Sequence, residues 1–318
     1  MKIRTELKFP TYPFKISYED IILSLGSCFS YNMAQKLSLL KYNLIQNPSG
    51  ITFNPASLLT TIKSIIEPNS LLQEEFFLNK GLWSHPDFHG SFSHPDLASA
   101  HKAAQASLIA AHKALPYISK VFITIGTSHV FRDLNTGKIV NNCHKRPAKQ
   151  FNKEILTPSA IVDQLHKGLD LIQLQNGKGI QFVLTVSPIR HIKNGVIEDK
   201  LNKSRCLLAV HQVVAERSDS HYFPSYELMM DDLRDYRYYA EDLIHPSSQA
   251  LDYIFKHLED NLLTEEDAVL RRRVSQINNQ LNHKPLFPDS EAHQKFLVNL
   301  DAAILKLKKD YPFMKDRI

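Results

Sequence analysis

Short apolar runs alternate along the chain with longer segments of helical spacing. This is the order in which a parallel sheet is written when helices carry the chain back between strands. The runs Ile21 to Leu25, Tyr42 to Ile45, Val121 to Ile125 and Ile180 to Val186 predict strands. Between them Met33, Ala34, Leu37 and Leu40, then Leu58, Leu59, Ile62, Ile65 and Ile66, recur at the spacing of a helix face. Leu97 to Leu115, Ser159 to Leu174, Leu201 to Ala215 and Ser247 to Leu263 continue the series. Right-handed crossovers then favour an open three-layer α/β/α sandwich. After Leu263 the pattern turns polar and helical, broken near Pro285 to Pro288. Residues 1–262 therefore read as an α/β domain and residues 263–318 as a helical C-terminal appendage.

Composition narrows the function classes. Apolar residues make up 43% of 318, ample for a core. The net charge is +5, but 38 basic residues are interspersed with 33 acidic ones, and Arg271 to Arg273 sit in a polar helical pattern. A solvated helix face explains that run, so nucleic acid is not an expected partner. No apolar stretch reaches the roughly 18 residues of a membrane span, and the start of the chain lacks the apolar core of a signal peptide. Cys28, Cys143 and Cys206 are odd in number and far apart, which suits free thiols in a reducing compartment. A cytoplasmic protein is expected.

The most informative stretch is "IILSLGSCFS", in which Gly26, Ser27 and Cys28 end the first strand just where a helix begins. Ligands of open α/β sheets bind outside the carboxyl ends of strands. A helix N-terminus there offers free N–H groups and a positive dipole end, which lower a thiol pKa. Cys28 is expected to be either such a nucleophile or a small buried hydrophobe. Far along the chain, "AEDLIHPSS" carries Asp242 and His245 just before a helix. That spacing lets the carboxylate fix one imidazole nitrogen while the other faces a nucleophile.

Two further clusters carry polar chemistry. His85, Asp87, His89, His94 and Asp96 have spacing open to a metal or to turn formation. A substrate-contacting loop is the expectation, with His89 as a contact and Trp83 and Phe88 as stacking surface, and no metal is expected. Cys143, His144 and Lys145, with Arg190 and His191, are expected on the same rim of strand ends. Their cations suit a carboxylate, a phosphate or the diphosphate of coenzyme A. Arg190 and Lys145 pairing with Glu227 or Asp235 is the purely structural alternative.

On these motifs the chain is identified as a member of the GSCFA domain family, whose naming motif stands here as Gly26-Ser27-Cys28-Phe29-Ser30. "NPSGITFNP" from Asn47, "FITIGTSHVF" from Phe122, "VNNCHKRP" from Val140, "TVSPIRH" from Thr185 and "YFPSYELMMDDLRDYRYYAEDLIHPS" from Tyr222 also match, and the resemblance covers Met1 to Leu262. The family is similar to the SGNH, or GDSL-like, hydrolases and acyltransferases, which implies a flavodoxin-like sandwich. In those a first-strand Gly-Asp-Ser holds the nucleophile and a late Asp-x-x-His supplies orienter and base. The resemblance puts Cys28 at the nucleophile, with Ser27 as its rival, His245 as base and Asp242 as orienter. A capsule-biosynthesis acyltransferase group with Gly-Asn-Cys at this place is similar.

Gly50 matches the glycine whose N–H joins the oxyanion hole. "GTSH", Gly126 to His129, departs from the usual Gly-x-Asn-Asp block. Ser128 stands where the asparagine would, so the oxyanion hole either lacks that amide or borrows one from Asn141 or Asn142. Loss of one oxyanion donor costs about 3 kcal/mol of catalysis, so the departure matters.

The resemblance implies a hydrolase or acyltransferase acting on an acyl ester or thioester of a small molecule or carbohydrate. No resident cofactor is implied, though acyl coenzyme A would serve as a donor. A non-catalytic module binding a saccharide or peptide end is the rival expectation, and the amphipathic C-terminal helices suit a homo-oligomer.

Overall fold

The computed structural model describes residues 6–176 and 179–318. Its strands are β1 (Ile21–Gly26), β2 (Asn43–Gln46), β3 (Phe77–Asn79), β4 (Leu82–Ser84), β5 (Lys120–Ile125), β6 (His129–Asp133), β7 (Ile139–Val140), β8 (Phe151–Ile155), β9 (Gln181–Val186) and β10 (Ser220–Tyr222). Five of them form one sheet in the order β10-β9-β5-β1-β2, with every pair parallel. Counted through that sheet alone the order is 2-1-3-4-5, the flavodoxin-like arrangement. The antiparallel pairs β3-β4 and β7-β6-β8 are separate small sheets.

Both faces of the large sheet are covered, which is why its strands read as continuous apolar runs. Helix α1 (Cys28–Leu39) links β1 to β2 on one face, while α2 (Pro55–Ile66), α3 (Leu97–Ala114), α4 (Pro158–Leu174) and α5 (Val196–Glu216) cover the other. The short α6 (Ser225–Glu227) follows β10, and α7 (Ser248–Leu262) lies beside α1. Leu23, Leu25, Val121, Ile123, Phe182 and Leu184 pack under α2 to α5. Their strand neighbours Ile22, Phe122 and Val183 pack toward α1 and α7. This alternation is the two-residue period of a strand.

Helix starts follow local chemistry. Asn54 and Thr157 cap α2 and α4 through side-chain oxygens, each followed by a proline whose missing N–H costs nothing at that position. Ser247 caps α7 from the end of the Asp242 to His245 turn, its hydroxyl accepting the Ala250 N–H at 3.2 Å. The C-terminal helices α8 (Ala268–Leu281) and α9 (Glu291–Asp310) share a core with α1 and α7, built of Met33, Leu37, Ile254, Leu258, Leu270, Val274, Leu300 and Leu307. No helix among the described residues is long and apolar enough to cross a membrane.

The small antiparallel sheets β3-β4 and β7-β6-β8 are not predicted by the periodicity, and two elements of the sandwich also differ from it. Strand β10 spans only Ser220–Tyr222 and completes the sheet by pairing with β9, too short a run to stand out. Helix α5 begins at Val196 rather than Leu201, and its first buried residue is the polar Asp199, which an apolar period does not mark.

Candidate active site

Strand order reverses at β1, with β2 on one side and β5 on the other, so a crevice opens beyond the carboxyl ends of β1 and β5. Gly26 makes the turn into it. Its φ is +134°, and a Cβ there would stand 2.3 Å from the Thr124 carbonyl oxygen. The Gly26 N–H donates to Asn47 Oδ1 and its carbonyl accepts from the Thr52 N–H, both at 2.9 Å. The crevice holds a cleft of about 320 Å³ lined by Ser27, Cys28, Phe53, Ser187, Arg190, His191, Lys193 and His245, among others. Hollows of about 760 and 720 Å³ beside the C-terminal helices contain neither a cysteine nor a histidine.

Cys28 is the first residue of α1, with Ser27 as N-cap. The Ser27 side chain does not cap the helix, so the first-turn N–H groups keep no partner from it. Ser27 is 2% exposed, and its Oγ is buried without a hydrogen-bond partner among the described residues. Cys28 is half-buried, and its thiol pKa is raised, not lowered. Loss of water on the cleft wall outweighs the lowering by its own N–H, which corrects the expectation from helix position alone. Cys206, wholly buried in α5, is pushed up to about 12 by the same cause.

Asp242 and His245 form one turn. Oδ2 of Asp242 lies 2.6 Å from His245 Nδ1, and Oδ1 accepts the N–H groups of Ile244 and His245, each at 2.9 Å. These hydrogen bonds hold the carboxyl down to about 2. The turn needs a positive φ at Leu243, and its Ile244 carbonyl accepts the Arg190 N–H at 3.2 Å, which ties it to the end of β9.

Arg190 stacks over Tyr236 and Tyr239 and donates to the Leu243 carbonyl at 3.1 Å. It does not pair with Glu227 or Asp235. Glu227 accepts from the Tyr222 hydroxyl, and Asp235 pairs with Arg237. Its charge is therefore available to an anionic ligand. His191, expected as a second cation, is instead held neutral, its pKa lowered to about 3 by burial first, then by Lys203, His129 and His245.

The remaining sequence-predicted residues lie elsewhere. Ser128 is fully buried, with its N–H and Oγ both donating to Asn202 Oδ1, at 2.6 and 2.9 Å. It does not line the cleft. The Gly50 N–H donates to the Asn47 carbonyl at 2.7 Å, and His89 packs onto Gly50. Asn141 and Asn142 both donate their N–H groups to the Pro86 carbonyl, and Asn142 Oδ1 accepts the His144 N–H at 2.8 Å. His89, Cys143, His144 and Lys145 do not line the cleft. His144 Nε2 lies 2.8 Å from the His85 carbonyl oxygen, and Phe88 is core rather than stacking surface. The His85 to His89 spacing forms turns, with the Asp87 N–H donating to His85 Nδ1 at 3.1 Å and the Ser91 N–H to His89 Nδ1 at 3.2 Å.

Sequence reasoning missed the support behind the cleft. Asp199, Asn202, Lys203 and Cys206 form a buried, mostly polar stripe on α5. Asp199 accepts the His191 N–H at 2.8 Å. Lys203, 1% exposed, donates to the carbonyls of Gly126 and Ser187, each at 2.8 Å, clamping the ends of β5 and β9 together. Burial lowers its pKa to about 8. The signal was present: these positions recur at i, i+3, i+4 and i+7, the spacing of a core face, yet three of the four are polar.

The fold is thus a parallel α/β sandwich whose strand ends carry one cleft lined by Cys28 and His245, with Asp242 paired to the imidazole. Comparison with protein families is specific: the GSCFA family model matches residues 21–258, and the model of the GSCFA domain protein, C-terminal domain, matches residues 274–316. The chain belongs to the GSCFA family. No curated protein and no solved structure matches it.

Proposed function

We propose that this protein is an SGNH-like hydrolase or acyltransferase acting on an acyl ester or thioester. The observation that carries the reading is the 2.6 Å pairing of His245 Nδ1 with Asp242 Oδ2 on the wall of the cleft that Cys28 also lines. Asp242 fixes the tautomer, leaving Nε2 as base. His245 Nε2 takes the thiol proton as Cys28 Sγ bonds to the acyl carbon and the carbonyl electrons move to oxygen. Collapse of the tetrahedral intermediate expels the alcohol or thiol, which receives that proton from His245. Water or an acceptor hydroxyl, deprotonated by His245, then cleaves the acyl–sulfur bond and regenerates Cys28.

The raised Cys28 pKa fits activation by this base at the moment of attack rather than a resting thiolate. Ser27, adjacent and with a hydroxyl that has no hydrogen-bond partner among the described residues, is the rival nucleophile. Arg190 suits an anionic group on a small-molecule or carbohydrate substrate, or on acyl coenzyme A as donor.

A panel of acyl nitrophenyl esters and acyl coenzyme A tests the reading. It expects a hydroxylamine-sensitive acyl adduct, lost in Cys28→Ala and suppressed in His245→Ala. Loss in Ser27→Ala with retention in Cys28→Ala would move the nucleophile to Ser27. The binding-module reading draws on the withdrawal of Ser128 from the cleft and expects no adduct with any donor.

A further inference from the structure

The proposed chemistry lacks one part, a donor at the place where an asparagine amide would face the oxyanion. We infer that His191 fills it, its Nε2–H donating a hydrogen bond to the oxygen of the tetrahedral intermediate. This inference rests on the acyl-transfer reading of the same cleft.

The geometry is local and specific. A Cβ built on Gly126 would meet Phe53 O at 3.0 Å, Ser27 Cβ at 3.5 Å and His191 Nε2 at 3.6 Å. Lacking a side chain, Gly126 lets the Phe53 carbonyl, Ser27 Cβ and His191 Nε2 close in on one point beside the nucleophile turn, and Nε2 is the His191 atom nearest that point. The Phe53 carbonyl is already occupied, accepting the N–H groups of Gly126 and Thr127 at 2.8 and 3.0 Å. His191 lines the cleft, and among the described residues its ring has no hydrogen-bond partner. Its backbone is pinned by Asp199 on α5, and Phe53 meets its ring edge-on at 6.4 Å. A donor held in place before the reaction needs no reorganisation during it.

The two cleft histidines are distinguished by their surroundings. His245 has a carboxylate on Nδ1 and suits a proton carrier. His191 is buried and faces Lys203 from α5, His129 from β6 and His245 across the cleft, and among the described residues no carboxylate is hydrogen-bonded to its ring. It stays neutral, and a proton taken up by His245 during attack only reinforces this. A neutral imidazole can polarise a carbonyl without competing for the nucleophile's proton.

The test compares single-turnover acylation by a nitrophenyl ester in wild type, His191→Ala, His191→Gln and Cys28→Ala. We expect His191→Ala to lower the maximal acylation rate about 10²- to 10³-fold at little change in half-saturating ester. His191→Gln, which restores an N–H donor, should recover at least about ten-fold of that loss. A maximal rate in His191→Ala near that of wild type, with the adduct still dependent on Cys28, overturns this inference and leaves the enzyme reading standing. Absence of any wild-type adduct overturns both. Should His191→Ala fail to fold, imidazole ¹⁵N NMR of the wild-type protein decides. A trifluoromethyl ketone that adds to Cys28 should shift the His191 Nε2–H signal downfield, and an unmoved signal in a formed adduct overturns the inference.

Discussion

Asp242 holds His245 at two points, its Oδ2 against the imidazole Nδ1 at 2.6 Å and its Oδ1 against the backbone N–H at 2.9 Å. Ring orientation and backbone turn are thereby set by one carboxylate. If this pair serves acyl transfer, Asp242→Asn should reduce maximal acylation by about 10²- to 10⁴-fold, because an amide favours the wrong tautomer. Single-turnover kinetics of the variant checks this.

The same carboxylate gives a pH signature. Its folded pKa, about 2, lies below the ordinary aspartate value of about 3.9. The linked stabilisation is therefore fully present above the ordinary value and lost as pH falls through about 2. The Tm difference between wild type and Asp242→Asn should be open near neutrality and close in strong acid. A gap independent of pH would reject the linkage.

Cys28 should alkylate ahead of Cys206, which is wholly buried and pushed up to about 12. Because burial also raises the Cys28 pKa, its labelling rate should still be climbing with pH where an ordinary cysteine levels off. Time-resolved iodoacetamide labelling with peptide mapping reads both. Faster labelling of Cys206 would contradict the buried packing of α5.

Lys203 is a buried base with its pKa lowered to about 8. Between that value and the ordinary lysine value of about 10.4 the unfolded chain binds more protons than the folded one, so stability rises with pH across this window. Relative to Lys203→Met, the wild type should gain on the order of 2–3 kcal/mol from pH 8 to pH 10.5. Denaturant melts at the two pH values measure it, and a constant difference would show that Lys203 does not titrate there.

Gly26 should not accept a side chain. A φ of +134° costs an L-residue about 1–3 kcal/mol. The 2.3 Å approach of a Cβ to the Thr124 carbonyl adds a backbone clash that no rotamer relieves. Gly26→Ala should lower the urea midpoint markedly, whereas Gly81→Ala, with open space but φ +79°, should cost only the conformational part.

The sequence by itself determined the sandwich, because strands covered on both faces must be apolar throughout and helices covered on one face must repeat at their own period. It also determined the Asp242 and His245 pairing, since three residues of tight turn leave the two side chains within reach of each other. Tertiary structure alone decided what contacts across the chain control. The thiol of Cys28 rises because the cleft removes its water, which no helix-terminus argument contains. Ser128 turns inward because Asn202, distant in sequence, meets it from α5. His191 loses its charge because burial strips its water, an effect that Lys203, His129 and His245 reinforce from three separate segments. Desolvation and through-space charge depend on distances that a one-dimensional pattern does not encode, and these terms assign the roles inside the cleft.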